Sequence, residues 1–305
     1  MSYLARLAVE LAARSGGIDA DGRARHRRFL LAAQNSDGGF SNRDGSSDAY
    51  YTGFALRVLV LLGGIPDSVR KPLCRFLRER LASSPSPVDF LSLLFCDLML
   101  QASGHDFAFD SAAQRQRTFE AVIEPLARDD GSFAKTERSK YGSLYNTFLI
   151  TACGELLGIQ PFRPDEILRF VRSRRREDGG FAEAVQMRAG GVNPTGAAVA
   201  LLEILEDRDA RIRRRAAEFL RSMQTSEGGF KAAERIPFAD LLSTFTGFVA
   251  LRHLGAADSV DRSAILRFVD SLECPEGGFR AGAWDETPDV EYTFYGLGSL
   301  ALAKE

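Results

Sequence analysis

Two carboxylates and a phenol stand close together in the segment Asp289-Val290-Glu291-Tyr292-Thr293. A carboxylic acid that faces an apolar cavity has its pKa raised by desolvation and by a neighbouring carboxylate, and a raised pKa is what a proton donor requires. Asp289 and Glu291 are therefore candidate acids. Both also have a structural alternative, because an aspartate can cap a helix and a glutamate in the first turn interacts favourably with the helix dipole.

A recurring triplet sets these residues in a larger pattern. Gly-Gly-Phe, once as Gly-Ser-Phe, ends at Phe40, Phe133, Phe181, Phe230 and Phe279. The last three intervals are 48, 49 and 49 residues, and the first, 93, is close to twice that value. A degenerate copy is therefore expected near position 86, where Ser83-Ser84-Pro85-Ser86-Pro87 is a turn-forming cluster. Six copies of one unit then fill the chain.

A threonine follows each triplet at a fixed distance. The distance is 14 residues in four copies and 12 in the first, which gives Thr52, Thr147, Thr195, Thr244 and Thr293. Four residues before each threonine stands a residue type that favours a helix N-cap: Asp48, Ser143, Gly191, Asp240 and Asp289. A period of this length is typical of repeat proteins, in which no unit buries its apolar face alone.

One unit is predicted to be two helices joined by the triplet. Residues 216–223 have apolar side chains at helical spacing, and Gly228 and Gly229 follow as residues that can close a helix. After a loop at 231–239, the segment from Asp240 is apolar almost all round, as a buried helix is. We therefore predict an all-α fold, an α/α toroid: a six-hairpin, double-layered helical barrel. It forms one domain over residues 1–305, with an N-terminal helix and cap over about residues 1–25.

Composition excludes several other classes of protein. The formal net charge of −2 gives no electrostatic case for binding nucleic acid. No stretch reaches the roughly 18 uninterrupted apolar residues that a membrane span needs, so no transmembrane segment is expected. The four cysteines show no Cys-x-x-Cys spacing, which favours free thiols in a reducing compartment. We expect a cytoplasmic protein.

The repeats resemble those of two related enzyme groups. Gln34-x3-Gly38-x-Phe40 and its copy from Gln224 to Phe230 are similar to the repeats of squalene and oxidosqualene cyclases. The triplet with its inner-helix threonine resembles the β subunits of protein farnesyl- and geranylgeranyltransferases. The resemblance covers residues 25 to 305. It implies a toroid that binds an isoprenoid-type small molecule, and it raises the possibility of a helical partner subunit, as in the transferases.

The resemblance also locates the transferases' zinc site, whose ligands are Asp-x-Cys at an inner-helix start and a histidine before a later threonine. Asp240 keeps the aspartate, but Leu242 stands at the cysteine position and Tyr292 at the histidine position. Leucine supplies no donor that zinc accepts. We therefore predict no metal and no cofactor, and a prenyltransferase-like site without the usual zinc, with Asp240 and Tyr292 as candidate catalytic residues.

Two alternatives remain open beside the prenyltransferase-like function. Class II cyclases carry Asp-x-Asp-Asp directly before the equivalent threonine, and the middle acid protonates an alkene or epoxide. Here Asp289 and Glu291 keep the first and middle acids, while Tyr292 replaces the third. The resemblance thus allows a cyclase that uses Glu291 or Asp289 as its acid. It also allows a toroid without enzymatic activity that serves as a binding or scaffold protein.

Aromatic residues cluster at the starts of the inner helices and predict an apolar cavity suited to a polyprenyl chain. The predicted ligand-binding residues are of two kinds. Those on the inner helices are Tyr51, Tyr145, Asn193 and Phe245. Those in the loops above the mouth are Arg188, Arg235 and Arg280, which are candidate contacts to a diphosphate.

Overall fold

A computed structural model describes residues 1–83, 86–104, 109 and 111–304. Within these residues, helices alternate between an inner and an outer layer. The inner helices are α3 (Ala49–Leu61), α5 (Pro87–Ala102), α7 (Leu144–Leu156), α9 (Val192–Ile204), α11 (Leu241–His253) and α13 (Val290–Ala303). The outer helices are α2 (Ala20–Ala32), α4 (Asp67–Ala82), α6 (Ala112–Ile123), α8 (Pro164–Ser173), α10 (Ala210–Ser222) and α12 (Arg262–Ser271). The predicted all-α toroid is confirmed.

The inner helices form a closed ring. Each contacts the next one along the chain, and the last, α13, contacts the first, α3. At the same junction, the backbone N–H of Gly278 donates a hydrogen bond of 3.0 Å to Nδ1 of His26 on α2, and the His26 ring stacks on Phe279. The Arg25 guanidinium pairs there with Glu273. The last repeat is thereby joined to the first outer helix.

The threonine of each repeat holds the triplet against the inner helix. Its Oγ1 accepts the backbone N–H of the triplet phenylalanine at 2.9–3.2 Å in all five copies. Its hydroxyl in turn donates to the carbonyl of the N-cap residue four positions earlier. We call this pair of hydrogen bonds the threonine clamp. It explains the spacing that the sequence shows.

The first clamp has the shorter offset because its loop is a tight hairpin. β1 (Phe40–Ser41) pairs antiparallel with β2 (Ser47–Asp48), so that Phe40 lies opposite Asp48. The expected second copy of the triplet falls between α4 and α5. Ser84 and Pro85 lie outside the described residues, and Ser86 caps α5 through the backbone N–H of Asp89.

The sequence predicts that the first glycine of the triplet ends the outer helix, but the structure shows a different role for it. Helix α10 already ends at Ser222, and Gly228 lies in the following turn with φ +102°. A Cβ at Gly228 would approach the carbonyl oxygen of Ala264 on α12 to 2.2 Å. The glycine is therefore required where the turn packs directly on the backbone of the next outer helix.

A further helix, α1 (Tyr3–Arg14), lies across the carboxyl ends of the inner helices. It contacts α3, α7, α9 and α13. The Tyr3 backbone N–H donates to Glu155 at the end of α7 at 2.7 Å, and Glu10 pairs with Arg252 at the end of α11. One end of the ring is thus covered by α1. Within the described part of the chain, none of the helices combines the length and apolar character that crossing a bilayer requires.

Replacing Thr244 by valine is expected to destabilise the protein by about 1–3 kcal/mol, because the buried N–H of Phe230 loses its acceptor. The free energy of unfolding from urea titration measures this. Thr246→Val is the matched control: Thr246 lies two residues along the same helix and faces the central cavity. Equal stability of the two variants would show that the clamp contributes nothing.

Candidate functional site

The ring encloses a cavity of about 500 Å³ whose wall is mostly apolar. All six inner helices supply aromatic side chains or small residues to the wall, and the contribution of α5 is Phe95 and Met99. Helix α1 contributes Tyr3, Leu4, Leu7, Ala8 and Leu11 at the covered end. Volumes of roughly 300–1,000 Å³ are typical of sites for small molecules.

The rim of the cavity lies at the amino ends of the inner helices. Its residues occupy the same position in each repeat, counted from the repeat threonine. Two residues before each threonine stand Tyr50, Tyr145, Asn193, Leu242 and Glu291. The first four line the cavity. Tyr145 is 43% exposed although it lies within the ring, because its accessible surface faces this space. The regular repeat thus brings one side chain from each of five helices to one level.

Glu291 is held beside the cavity by two tyrosines. Its Oε1 accepts hydrogen bonds from the Tyr50 hydroxyl at 2.7 Å and the Tyr295 hydroxyl at 3.1 Å. Both tyrosines line the cavity. Burial raises the pKa of Glu291 above its ordinary value, although the hydrogen bonds from the two hydroxyls act in the opposite direction. A carboxyl with this environment can hold a proton above the pH at which an exposed glutamate ionises.

Asp289 is engaged in structural contacts. Its Oδ1 accepts the backbone N–H of Tyr292 and so caps α13, and its Oδ2 accepts Nε of Arg43 at 2.7 Å. Arg43 comes from the hairpin of the first repeat and also pairs with Asp285, whose pKa it lowers. The same guanidinium lies 5.5 Å from the ring centre of Tyr292. Asp289 and Tyr292 therefore lie at the junction that closes the ring.

The zinc positions of the transferases do not fit the metal in this chain. Asp240 caps α11: its Oδ1 accepts the N–H of Ser243 and its Oδ2 accepts the Ser243 hydroxyl. Leu242 lines the cavity with a side chain that has no donor atom. Among the residues that the structure describes, no cluster of three or more histidine, cysteine, aspartate and glutamate side chains could hold a metal ion.

The other predicted ligand-binding residues lie at different depths. Tyr145, Asn193 and Phe245 line the cavity, and the Asn193 Oδ1 is buried without a hydrogen-bond partner among the described residues. Tyr51 packs edge-on against Tyr50, and burial raises its pKa to about 12.

The loop arginines stand apart from the cavity wall. Arg188 and Arg235 are exposed, and Arg280 donates to the carbonyl of Ser271 at the end of α12. Their contacts to a ligand stay predictions.

The sequence did not predict that three features, Arg57, Glu183 and helix α1, belong to the site. Arg57 on α3 lines the cavity, although in the sequence it stands out only as a charge within an apolar helix. Glu183 also lines it and accepts hydrogen bonds from the Ser143 hydroxyl and the Tyr145 N–H. Helix α1 forms the covered end. The position of Glu183 in a loop and the docking of α1 have no periodic signal in the sequence.

A ring of paired helices around an apolar cavity defines an α/α toroid. The prenyltransferase alpha-alpha toroid domain model matches residues 3–86, 91–231 and 195–305, and the chain belongs to this family. No curated protein matches it in sequence.

Solved structures share the fold at low sequence identity. Candida albicans protein geranylgeranyltransferase-I, complexed with GGPP, aligns with a TM-score of 0.72 and 16% identity over 92% of this chain and 90% of that one. The type II terpene cyclase MstE from Scytonema, as a variant with geranylgeranyl dihydroxybenzoate, aligns with a TM-score of 0.63 and 12% identity over 98% and 99%. An α-1,6-mannanase from Salegentibacter aligns with a TM-score of 0.61 and 11% identity over 98% of each chain. The fold alone therefore does not decide the chemistry.

Compared with the wild type, the Glu291→Gln variant is expected to be more stable at pH 7.5 than it is at pH 4. The folded-state pKa of Glu291 lies above the ordinary value of 4.5, so below that value both folded and unfolded chains are protonated and no difference arises. As the pH rises, the unfolded chain loses its proton first, and the wild type loses stability until Glu291 also ionises in the folded state.

Melting temperatures of both proteins between pH 4 and 8 measure this effect. The exposed Glu276 supplies the control variant Glu276→Gln. A melting-temperature difference between wild type and Glu291→Gln that does not change with pH would contradict the expectation.

Proposed function

We propose that this chain binds an isoprenoid or isoprenoid diphosphate in its central cavity, without the zinc site of the protein prenyltransferases. The observation that carries the proposal is the mostly apolar, aromatic-lined cavity that α1 covers at one end. Such a cavity accepts a flexible apolar chain of limited length. Two structural relatives, complexed with GGPP and with geranylgeranyl dihydroxybenzoate, add support.

Burial of apolar surface supplies the binding energy in this proposal. Each buried CH₂ group contributes about 0.8 kcal/mol, so a 15-carbon chain gains on the order of 10 kcal/mol before the entropy of association is subtracted. Phe54, Phe148, Phe245 and Phe294 on four inner helices provide the aromatic wall. Affinity then depends on chain length and on the space above α1.

We propose a site without zinc because the side chains at the three ligand positions, Asp240, Leu242 and Tyr292, are not a suitable set of zinc ligands. Zinc requires thiolate, imidazole or carboxylate ligands. The three positions hold a carboxylate whose two oxygens already accept hydrogen bonds from Ser243, an aliphatic side chain and a tyrosine ring beneath Arg43. Zinc activation of a cysteine thiol is therefore not part of the proposed chemistry.

Farnesyl or geranylgeranyl diphosphate is expected to raise the melting temperature by about 5 °C at 100 times the dissociation constant, with or without EDTA. Ala200→Phe, which places a ring in the cavity, should abolish the shift. The control Ala113→Phe, at an exposed position on α6, should keep it. Absence of a shift with both diphosphates at saturation would overturn the proposal.

A second candidate function is proton-initiated cyclisation of a polyprene, favoured by the hydrogen-bonded Glu291. The protonated carboxyl would transfer its proton to an alkene carbon beside Tyr50 and Tyr295. The resulting cation would be attacked by the next double bond with formation of a carbon–carbon bond, and loss of a proton from the product cation would restore the balance. The reaction needs no oxidant or reductant.

In that case Glu291→Gln should lower turnover of a linear geranylgeranyl compound by about 10²–10⁴-fold, the range typical of general acids, with the fold intact. Mass spectrometry of the extracted products measures this, and Glu276→Gln serves as the control. Unchanged product formation in Glu291→Gln would exclude Glu291 as the acid.

A further inference from the structure

Arg57 projects into the cavity well below its mouth. It lies nine residues after the N-cap Asp48, which at 1.5 Å per residue places its Cα about 13 Å along α3. Phe54 and Val60 line the cavity from the same helix, on either side of Arg57 in sequence. A charged side chain at this depth stands among apolar neighbours.

Three aromatic rings surround the guanidinium. Its carbon lies 4.6 Å from the ring centre of Phe54, 4.2 Å from that of Phe95 and 5.8 Å from that of Phe294. Ring faces attract a cation but offer no lone pair for its N–H groups, and a guanidinium has five of these donors. Within residues 1–83, 86–104, 109 and 111–304, no carboxylate or other acceptor forms a hydrogen bond or ion pair with Arg57.

The Arg57 guanidinium therefore has no carboxylate in contact with it among the described residues of the cavity wall. Among the described residues that line the cavity, Arg57 is the one cation and Glu183 the one carboxylate. Glu183 is already engaged at the rim, where it accepts hydrogen bonds from the Ser143 hydroxyl and the Tyr145 N–H. Arg57 is half-buried among apolar side chains, and its N–H groups have no acceptor within the described residues. An anion that enters the cavity is therefore the expected partner of the guanidinium.

We propose that Arg57 binds the carboxylate of an apolar chain whose anionic end lies inside the barrel. The planar guanidinium accommodates one carboxylate through two parallel N–H donors. A diphosphate carries more charge than a single cation neutralises, so it suits this position less well. This proposal rests on the proposed function only in one respect, namely that the apolar part of the ligand is an isoprenoid. The ligand is then a prenyl carboxylate.

Isothermal titration calorimetry of the full chain with farnesoic acid and farnesol tests the assignment. The wild type is expected to bind the acid roughly 10- to 100-fold more tightly than the alcohol, since a hydrogen-bonded charge contributes in this range. Arg57→Met should remove that preference and leave affinity for farnesol within about twofold. The control Arg169→Met, on the outer helix α8 with its side chain 70% exposed, should keep the preference.

A role of Arg57 in packing alone would give a different result. In that case Arg57→Met would lower the affinities for acid and alcohol equally, and the proposal would be overturned. If Arg57→Met does not fold, Arg57→Lys retains the charge without the two parallel donors and should show an intermediate preference for the acid. An unchanged preference in Arg57→Lys would also overturn the assignment of paired donors.

Laurate and dodecanol separate this proposal from the isoprenoid proposal. If laurate binds through Arg57 while neither prenyl compound binds, the Arg57 site stands and the isoprenoid function fails. If farnesol binds as tightly as farnesoic acid, the isoprenoid function stands and the Arg57 site fails. Absence of binding by all four compounds overturns both.

Discussion

The threonine clamp is the interaction on which the rest of the structure depends. In five repeats the same hydroxyl accepts a hydrogen bond from the buried phenylalanine N–H and donates one to the N-cap carbonyl. It therefore fixes the triplet turn against the first turn of the inner helix. Because the turn also packs on the next outer helix, one hydroxyl connects three elements. Repetition of this unit gives a ring, and the ring creates the cavity.

The clamp also determines which side chains reach the rim. Residues two positions before the threonine project into the same level in successive repeats, so their types decide the chemistry there. Tyrosine, asparagine and leucine make this level mostly neutral, whereas the last repeat supplies Glu291. Burial raises the pKa of that carboxyl beside the hydroxyl of Tyr50. The same register places Asp240 and Asp289 at helix caps, where their oxygens accept backbone N–H groups.

Much of the fold and part of the site could be predicted from the sequence. The period of the triplet and the threonine gave the six helix pairs, and the register led to Glu291 and Leu242. The role of Arg43 could not be predicted, because it bridges Asp285 and Asp289 across about 240 residues at the ring closure. Nor could the docking of α1, since an amphipathic helix indicates a buried face without naming the surface that buries it.

Local spacing determined the repeat unit, the helix starts and the residues that share a level, because hydrogen bonds of the clamp act over at most 14 positions. Only the tertiary structure decided which residues join the last repeat to the first, that α1 covers one end and that Arg57 meets aromatic rings from α5 and α13. These contacts join residues of different repeats or helices. Which residues meet in these contacts depends on how the assembled inner and outer layers pack together, and no single repeat determines that packing.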